Sequence, residues 1–210
     1  MVMDYGENNP KLVMQMPAED AVRWNSRYRE DSRNIFDPPR SLLVDHSKII
    51  PTRGLALDIA MGLGSNTNFL LNHGLHVIGV DISYVAVTKV KRKLPDLMAV
   101  VADLQRFSIP NNKFDVIINF LYLQRDLWLP LIQGLKLGGV IFIECLTDEM
   151  HSIHPDIDQL FLLKTGELKQ SFFEGELRKF LDILYYYEGW QNKDKPHPRA
   201  VASLIARRVA

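Results

Sequence analysis

The run Leu55-Ala56-Leu57-Asp58-Ile59-Ala60-Met61-Gly62-Leu63-Gly64, followed by His76-Val77-Ile78-Gly79-Val80-Asp81, constrains this chain more than any other part of it. A short apolar run bounded by glycine is the mark of a strand covered on both faces, as in a parallel sheet. The pattern predicts a buried strand, a glycine turn, a helix, and a second buried strand that ends on a carboxylate. Gly62 and Gly64 allow a sharp turn and a close backbone approach to a ligand, because no Cβ stands in the way. Asp58 and Asp81 fall where the two strands stop, and in open α/β sheets ligands bind beyond that edge.

The same alternation continues along the chain. Residues 65–72 read as a crossover helix stopped by Gly74, and Ser83 caps a second helix that runs to Lys93. Residues 97–102 form a third strand with Asp103 at its end, 114–120 a fourth, and 140–146 a fifth after a helix over 126–135 and the Gly138-Gly139 turn. Residues 147–160 are polar and irregular, and 165–173 can form one more helix. The apolar runs 180–187 and 200–208 read as an antiparallel closing pair. Ahead of the sheet, Pro17 suits the first turn of a helix whose Trp24 and Tyr28 share one face, and 40–49 reads as a second short helix. The expected fold is α/β: a doubly wound, mostly parallel seven-stranded sheet of Rossmann-like type, with an antiparallel C-terminal hairpin and N-terminal capping helices. Residues 1–17 are expected to be a flexible arm and 18–210 a single domain.

Composition removes several partner classes. Lys plus Arg equals Asp plus Glu at 25 each, so the net charge is zero and no electrostatic argument favours nucleic acid or an anionic membrane. No apolar run approaches the roughly 20 residues that span a bilayer. The acidic residues Asp4 and Glu7 with Pro10 do not suit a signal or transit peptide. The single cysteine, Cys145, has no internal partner, which points to a reducing compartment and a cytoplasmic location. His151, His154 and Cys145 match no zinc-ligand spacing, so no metal is expected. A monomer or a homodimer is the expected state.

A glycine turn alone serves NAD, FAD or S-adenosylmethionine (SAM). The dinucleotide pattern G-x-G-x-x-G, started at Gly62, meets Thr67 where the third glycine belongs; started at Ala60, it ends on Ser65. Asp58 before the turn would repel a pyrophosphate but suits the ammonium and sulfonium of SAM. Asp81 can accept from both hydroxyls of a ribose. Asp103 at the third strand end can meet an adenine edge.

Asp58-x-Ala60-x-Gly62-x-Gly64, Gly79-Val80-Asp81-Ile82-Ser83, Ala102-Asp103-Leu104, Phe114-Asp115-Val116-Ile117 and Leu137-Gly138-Gly139-Val140 resemble the ordered motifs of class I SAM-dependent methyltransferases. The segments at 122–127 and 161–168 are similar to those of the small bacterial tellurite-resistance and thiopurine-type group. The resemblance implies that Asp58 and the backbone at Ala60, Gly62 and Gly64 hold the methionine part of SAM. It places the ribose on Asp81 and the adenine against Ile82, Asp103 and Leu104. Asn119 would stand near the sulfonium, and Trp24, Arg27 and Tyr28 would cover the cofactor. Ala60, Met61 and Leu63 depart from the pattern, since similar enzymes often carry Arg at the position of Leu63.

Methyl transfer from a sulfonium requires alignment of the acceptor and exclusion of water more than acid or base chemistry. The expected activity is in-line methyl transfer to a small-molecule acceptor, giving S-adenosyl-L-homocysteine (SAH). Asn119, Tyr122, Gln124 and Arg125 are the candidates for the acceptor side, Arg125 as a fork for an anion or as an ion-pair partner. Two other readings stay open: a catalytically weak SAM-binding regulator, and a nicotinamide oxidoreductase.

Overall fold

The computed structural model describes residues 19–31, 36–192 and 197–210. Seven strands, β1 (Leu55–Ile59), β2 (His76–Asp81), β3 (Met98–Val101), β4 (Phe114–Phe120), β5 (Leu135–Leu146), β6 (Leu181–Gln191) and β7 (Arg199–Arg208), form one sheet. Their order is β3-β2-β1-β4-β5-β7-β6. The first five run parallel, and β7 lies antiparallel between β5 and β6.

Strict alternation along the central strands divides the core into two layers. Leu57, Ile59, Ile117, Ile141 and Ile143 pack on one face, with Trp128, Leu131 and Phe172 over them. Ala56, Val77, Val116, Ile118 and Phe142 pack on the other, against Leu70, Val87 and Val90. Burial on both faces is why these strands read as unbroken apolar runs rather than alternating ones.

Helices α1 (Glu19–Glu30), α2 (Ser41–Asp45), α3 (Ser65–Asn72), α4 (Tyr84–Lys93) and α5 (Trp128–Gly134) accompany the sheet. The Ser83 side chain accepts from Ala86 N at 3.1 Å and so caps α4 as its sequence predicts. The helix expected over 40–49 is split into α2 and a 3-10 turn, Ser47–Ile49. That over 126–135 starts as a 3-10 turn, Arg125–Leu127, which places Pro130 in the first turn of α5 where its missing N–H costs nothing. The fifth strand begins at Leu135 instead of Val140. Leu135 pairs with Phe114, and the register then shifts around Gly138, whose φ of 81° bends the strand. The 165–173 helix is a single α-turn, Glu167–Lys169, that widens into a π-turn over Gln170–Glu174. The expected arm at 1–17 lies outside the described residues. No helix among the described residues is long and apolar enough to cross a membrane.

Candidate cofactor and acceptor site

The parallel strands all end at one edge of the sheet, and a cavity of about 870 Å³ opens along it, within the range of small-molecule sites. Ala60 and Gly64 after β1, Asp81 and Ile82 after β2, Asp103 and Leu104 after β3, and Tyr122 after β4 line it. A parallel sheet brings these residues together because every crossover returns the chain to the same end.

The turn after β1 is built from left-handed backbone. Ala60, Gly62 and Gly64 have φ of 54°, 54° and 79°. Ala60 adopts there a conformation that disfavours a Cβ, so the departure from glycine at this position carries local strain. A Cβ at Gly62 would lie 2.9 Å from the Tyr28 hydroxyl, so α1 closes over the turn at this point. Met61 borders the cavity but turns most of its side chain inward. It is buried, and its sulfur fills the space that a side chain at Gly79 would take.

Asp81 is held from two sides: one oxygen accepts from Gly62 N and the other from Ser83 N, both at 2.8 Å. The carboxylate thus ties the glycine turn to the start of α4 and keeps lone pairs directed at the cavity. Burial raises its pKa, and those two backbone bonds oppose the rise.

Asp58 has a different place. It is 1% exposed, lies beneath the turn rather than on the cavity wall, and accepts from Thr67 Oγ1 at 2.6 Å. Burial pushes its carboxyl up to about 7, against the Thr67 hydrogen bond and with help from the Asp81 charge. Thr67, the residue that breaks the dinucleotide pattern, is therefore the partner of the buried acid.

Helix α1 roofs the cavity with Trp24, Arg27 and Tyr28. The Trp24 and Tyr28 rings stack at 5.5 Å, and the Arg27 guanidinium lies 5.3 Å from the Trp24 ring centre. Two residues absent from the sequence expectations moor the helix. Asn25 Oδ1 accepts from Ser83 Oγ and Val85 N at the head of α4, and Lys89 Nζ donates to the carbonyls of Tyr28 and Asp31 at 2.6 Å each.

The acceptor-side candidates separate. Tyr122 lines the cavity; its hydroxyl donates to Gln124 at 2.6 Å, and burial pushes its pKa up to about 12. Arg125 does not reach the cavity. It forms a two-pronged pair with Glu167 and donates to the Leu162 carbonyl, fastening the 160–167 segment. The ion-pair reading of Arg125 therefore holds, with Glu167 as the partner. Asn119 near the end of β4 is fully buried behind the cavity wall rather than on it, and neither its amide nitrogen nor its oxygen has a hydrogen-bond partner among the described residues. A buried amide with nothing to bond is costly unless a ligand or solvent satisfies it.

Beyond Tyr122 the wall is formed by Arg40, Gln191 and Arg199. Glu144 on β5 is fully buried and accepts from Arg40, from Gln191 Nε2 at 2.9 Å and from Ser203 Oγ at 2.9 Å. One signal for this network was present in the sequence: a glutamate inside an otherwise apolar strand needs partners.

Residues 56–135, from β1 through α5, match the family model described as a methyltransferase domain. Over that stretch the chain is similar to methyltransferase domains. Among solved structures, the chain is similar to one described under conversion of a disulfide bond into a thioacetal group during echinomycin biosynthesis. That match has a TM-score of 0.66 and 19% identity over 90% of this chain and 93% of the other. TehB from Haemophilus influenzae gives 0.64 and 19%, covering 90% of this chain and 66% of that one. A TehB-like SAM-dependent methyltransferase from Corynebacterium glutamicum gives 0.60 and 18%, covering 90% and 98%. At these identities the three structures establish the fold that this chain shares with them. No curated protein sequence matches it.

Proposed function

We propose that SAM lies along the strand ends with its ribose on Asp81, and that a small-molecule acceptor is methylated from the Tyr122 side of the cavity. The observation that carries this reading is the Asp81 carboxylate, fixed by Gly62 N and Ser83 N at the mouth of the glycine turn. A carboxylate held in this way meets two vicinal hydroxyls without further reorganisation. Two features fit the cofactor. The turn is a cradle that a Cβ at position 62 would fill, and the unpartnered Asn119 amide behind the cavity wall offers both a donor and an acceptor.

Ile82 and Leu104 supply apolar surface for an adenine ring, and Asp103 stands at its edge. Ala60 and Gly64 present backbone to the methionine part. Asp58 acts from below the turn, through Thr67 and the turn itself. Bound SAM supplies a methyl group already activated by its sulfonium. Trp24, Arg27 and Tyr28 exclude water, while Tyr122 and the wall beyond it align the acceptor. No group acts as an obligatory base in this arrangement, which suits an acceptor that is already a good nucleophile.

Leu63, an apolar side chain on the cavity wall, favours one alternative: a SAM-binding regulator with weak or no turnover. Calorimetric titration with SAH and with NADH tests the reading. One SAH per chain with no NADH binding is expected, whereas NADH binding without SAH binding refutes it. Tight SAH binding without transfer to thiols, oxyanions or phenols would select the regulator.

A further inference from the structure

Arg199 opens β7, pairs with Gln191 at the end of β6, and lines the cavity on the wall away from β1, β2 and β3. Among the described residues, its guanidinium donates no hydrogen bond and has no carboxylate within ion-pair distance. Arg40, on the same wall, is the contrast: it is bound by Glu144 and also reaches Gln191 Oε1 at 3.2 Å. Glu144 divides its remaining capacity between Gln191 and Ser203. The buried anion is therefore committed, and Arg199 keeps its donors and its charge.

That charge is held against resistance. Burial lowers the Arg199 pKa, the Arg40 cation lowers it further, and Glu144 and Asp37 oppose the fall without closing a pair. A partly buried cation without a partner is costly, and the cost is removed when a ligand brings the anion. The cavity is also polarised. Asp81 and Asp103 make the cofactor end acidic, which suits a sulfonium and repels an anion, while at the far end Glu144 neutralises Arg40 and Arg199 stands as a cation with the Asp37 charge near it but no ion pair between them.

We propose that Arg199 binds an anionic group of the methyl acceptor, so that the acceptor is a small oxyanion or carries a carboxylate or similar oxyanionic group. This rests on the SAM reading, since it takes the β1–β3 end as the cofactor end. The guanidinium fork matches two oxygens of such a group at once. Arg40 is the positioning residue: by neutralising Glu144 it keeps the buried acid from capturing Arg199, which is left on the cavity wall.

The test uses the full chain saturated with SAH and titrated by calorimetry with benzoate, with inorganic phosphate, and with benzamide as the neutral isostere of benzoate. At least one anion is expected to bind once per chain. If benzoate is that anion, benzamide is expected to bind at least tenfold more weakly. Arg199→Met is expected to weaken the bound anion at least tenfold with SAH affinity within twofold, and Arg199→Lys to restore part of the loss. No anion binding, equal binding of benzoate and benzamide, or anion binding unchanged in Arg199→Met overturns the proposal. If Arg199→Met does not fold, the wild-type comparison and Arg199→Lys decide. Loss of SAH binding by the wild-type chain would overturn the cofactor reading instead, so the two failures are distinguishable.

Discussion

Replacing Asp58 by Asn should change how the protein's stability depends on pH, in a direction fixed by the buried carboxyl. In the fold the Asp58 carboxyl titrates near 7, against an ordinary value of 3.8, chiefly because burial disfavours its charge. The unfolded chain loses this proton first. Between those values the folded state binds more protons, so the stability that protonated Asp58 contributes is full below about 4 and is lost as pH rises through 7. The whole window corresponds to roughly 4 kcal/mol, more than half of which falls between pH 5 and pH 8. The Asp58→Asn side chain keeps the shape and can still accept from Thr67 Oγ1, but it does not ionise. Urea unfolding of both proteins at pH 5, 6, 7 and 8 measures the effect. Relative to Asp58→Asn, the wild type should lose roughly 2–3 kcal/mol across that range. Asp81, whose pKa is also raised, acts in the same direction in both proteins and largely drops out of the difference. Parallel stability profiles would show that the Asp58 carboxyl is not held protonated in the fold, and the argument would fail.

Three further outcomes follow from the site. Asp81→Ala should weaken SAH binding by about 1–3 kcal/mol, the cost of unpaired hydroxyls in a site built for them; unchanged affinity by calorimetry would remove the ribose assignment. Glu144→Ala leaves the Arg40 guanidinium, Gln191 and Ser203 without their buried acceptor and should cost about 3–5 kcal/mol in urea unfolding, with Glu144→Gln milder because it retains an acceptor; a loss under about 1 kcal/mol would contradict the network. Arg125→Gln breaks a partly exposed ion pair, so it should cost about 0–1 kcal/mol in stability and leave SAH affinity within twofold, and a large loss of binding would return Arg125 to the site.

What was legible in the sequence was local in kind. The strands β1, β2 and β4 announced themselves as apolar runs, and Asp81 and Asp103 could be placed because a strand end is a sequence position. Burial could not be read in this way. Asp58 and Asp81 look alike in the sequence, yet one lies beneath the turn and the other on its lip, because the register pairs Asp58 with Gly79 and so sets Asp81 two residues nearer the sheet edge. Asn25, Lys89 and Arg199 were not legible for a related reason, and Glu144 showed only as an acid in an apolar strand, without its partners. The roles of Asn25, Lys89 and Glu144 come from partners far away in the chain, as when Arg40 meets Glu144 across 104 positions. That of Arg199 comes from the lack of a partner among the described residues. The apparent fork at Arg125 was spent on Glu167 because the 160–167 segment folds back over it, a return that no local pattern records.

The placement of β7 between β5 and β6 gives the two halves of the cavity different histories. Everything that lines the proposed cofactor end beneath the α1 roof lies between residues 60 and 105, in strands that pair as soon as their crossovers close. The opposite wall needs Arg199, and its buried glutamate needs Ser203, both on the strand that docks only after β6 has been made. During synthesis the chain therefore emerges with the proposed cofactor half first and the proposed acceptor half last, and the second wall is complete only when the final strand slots between two that precede it.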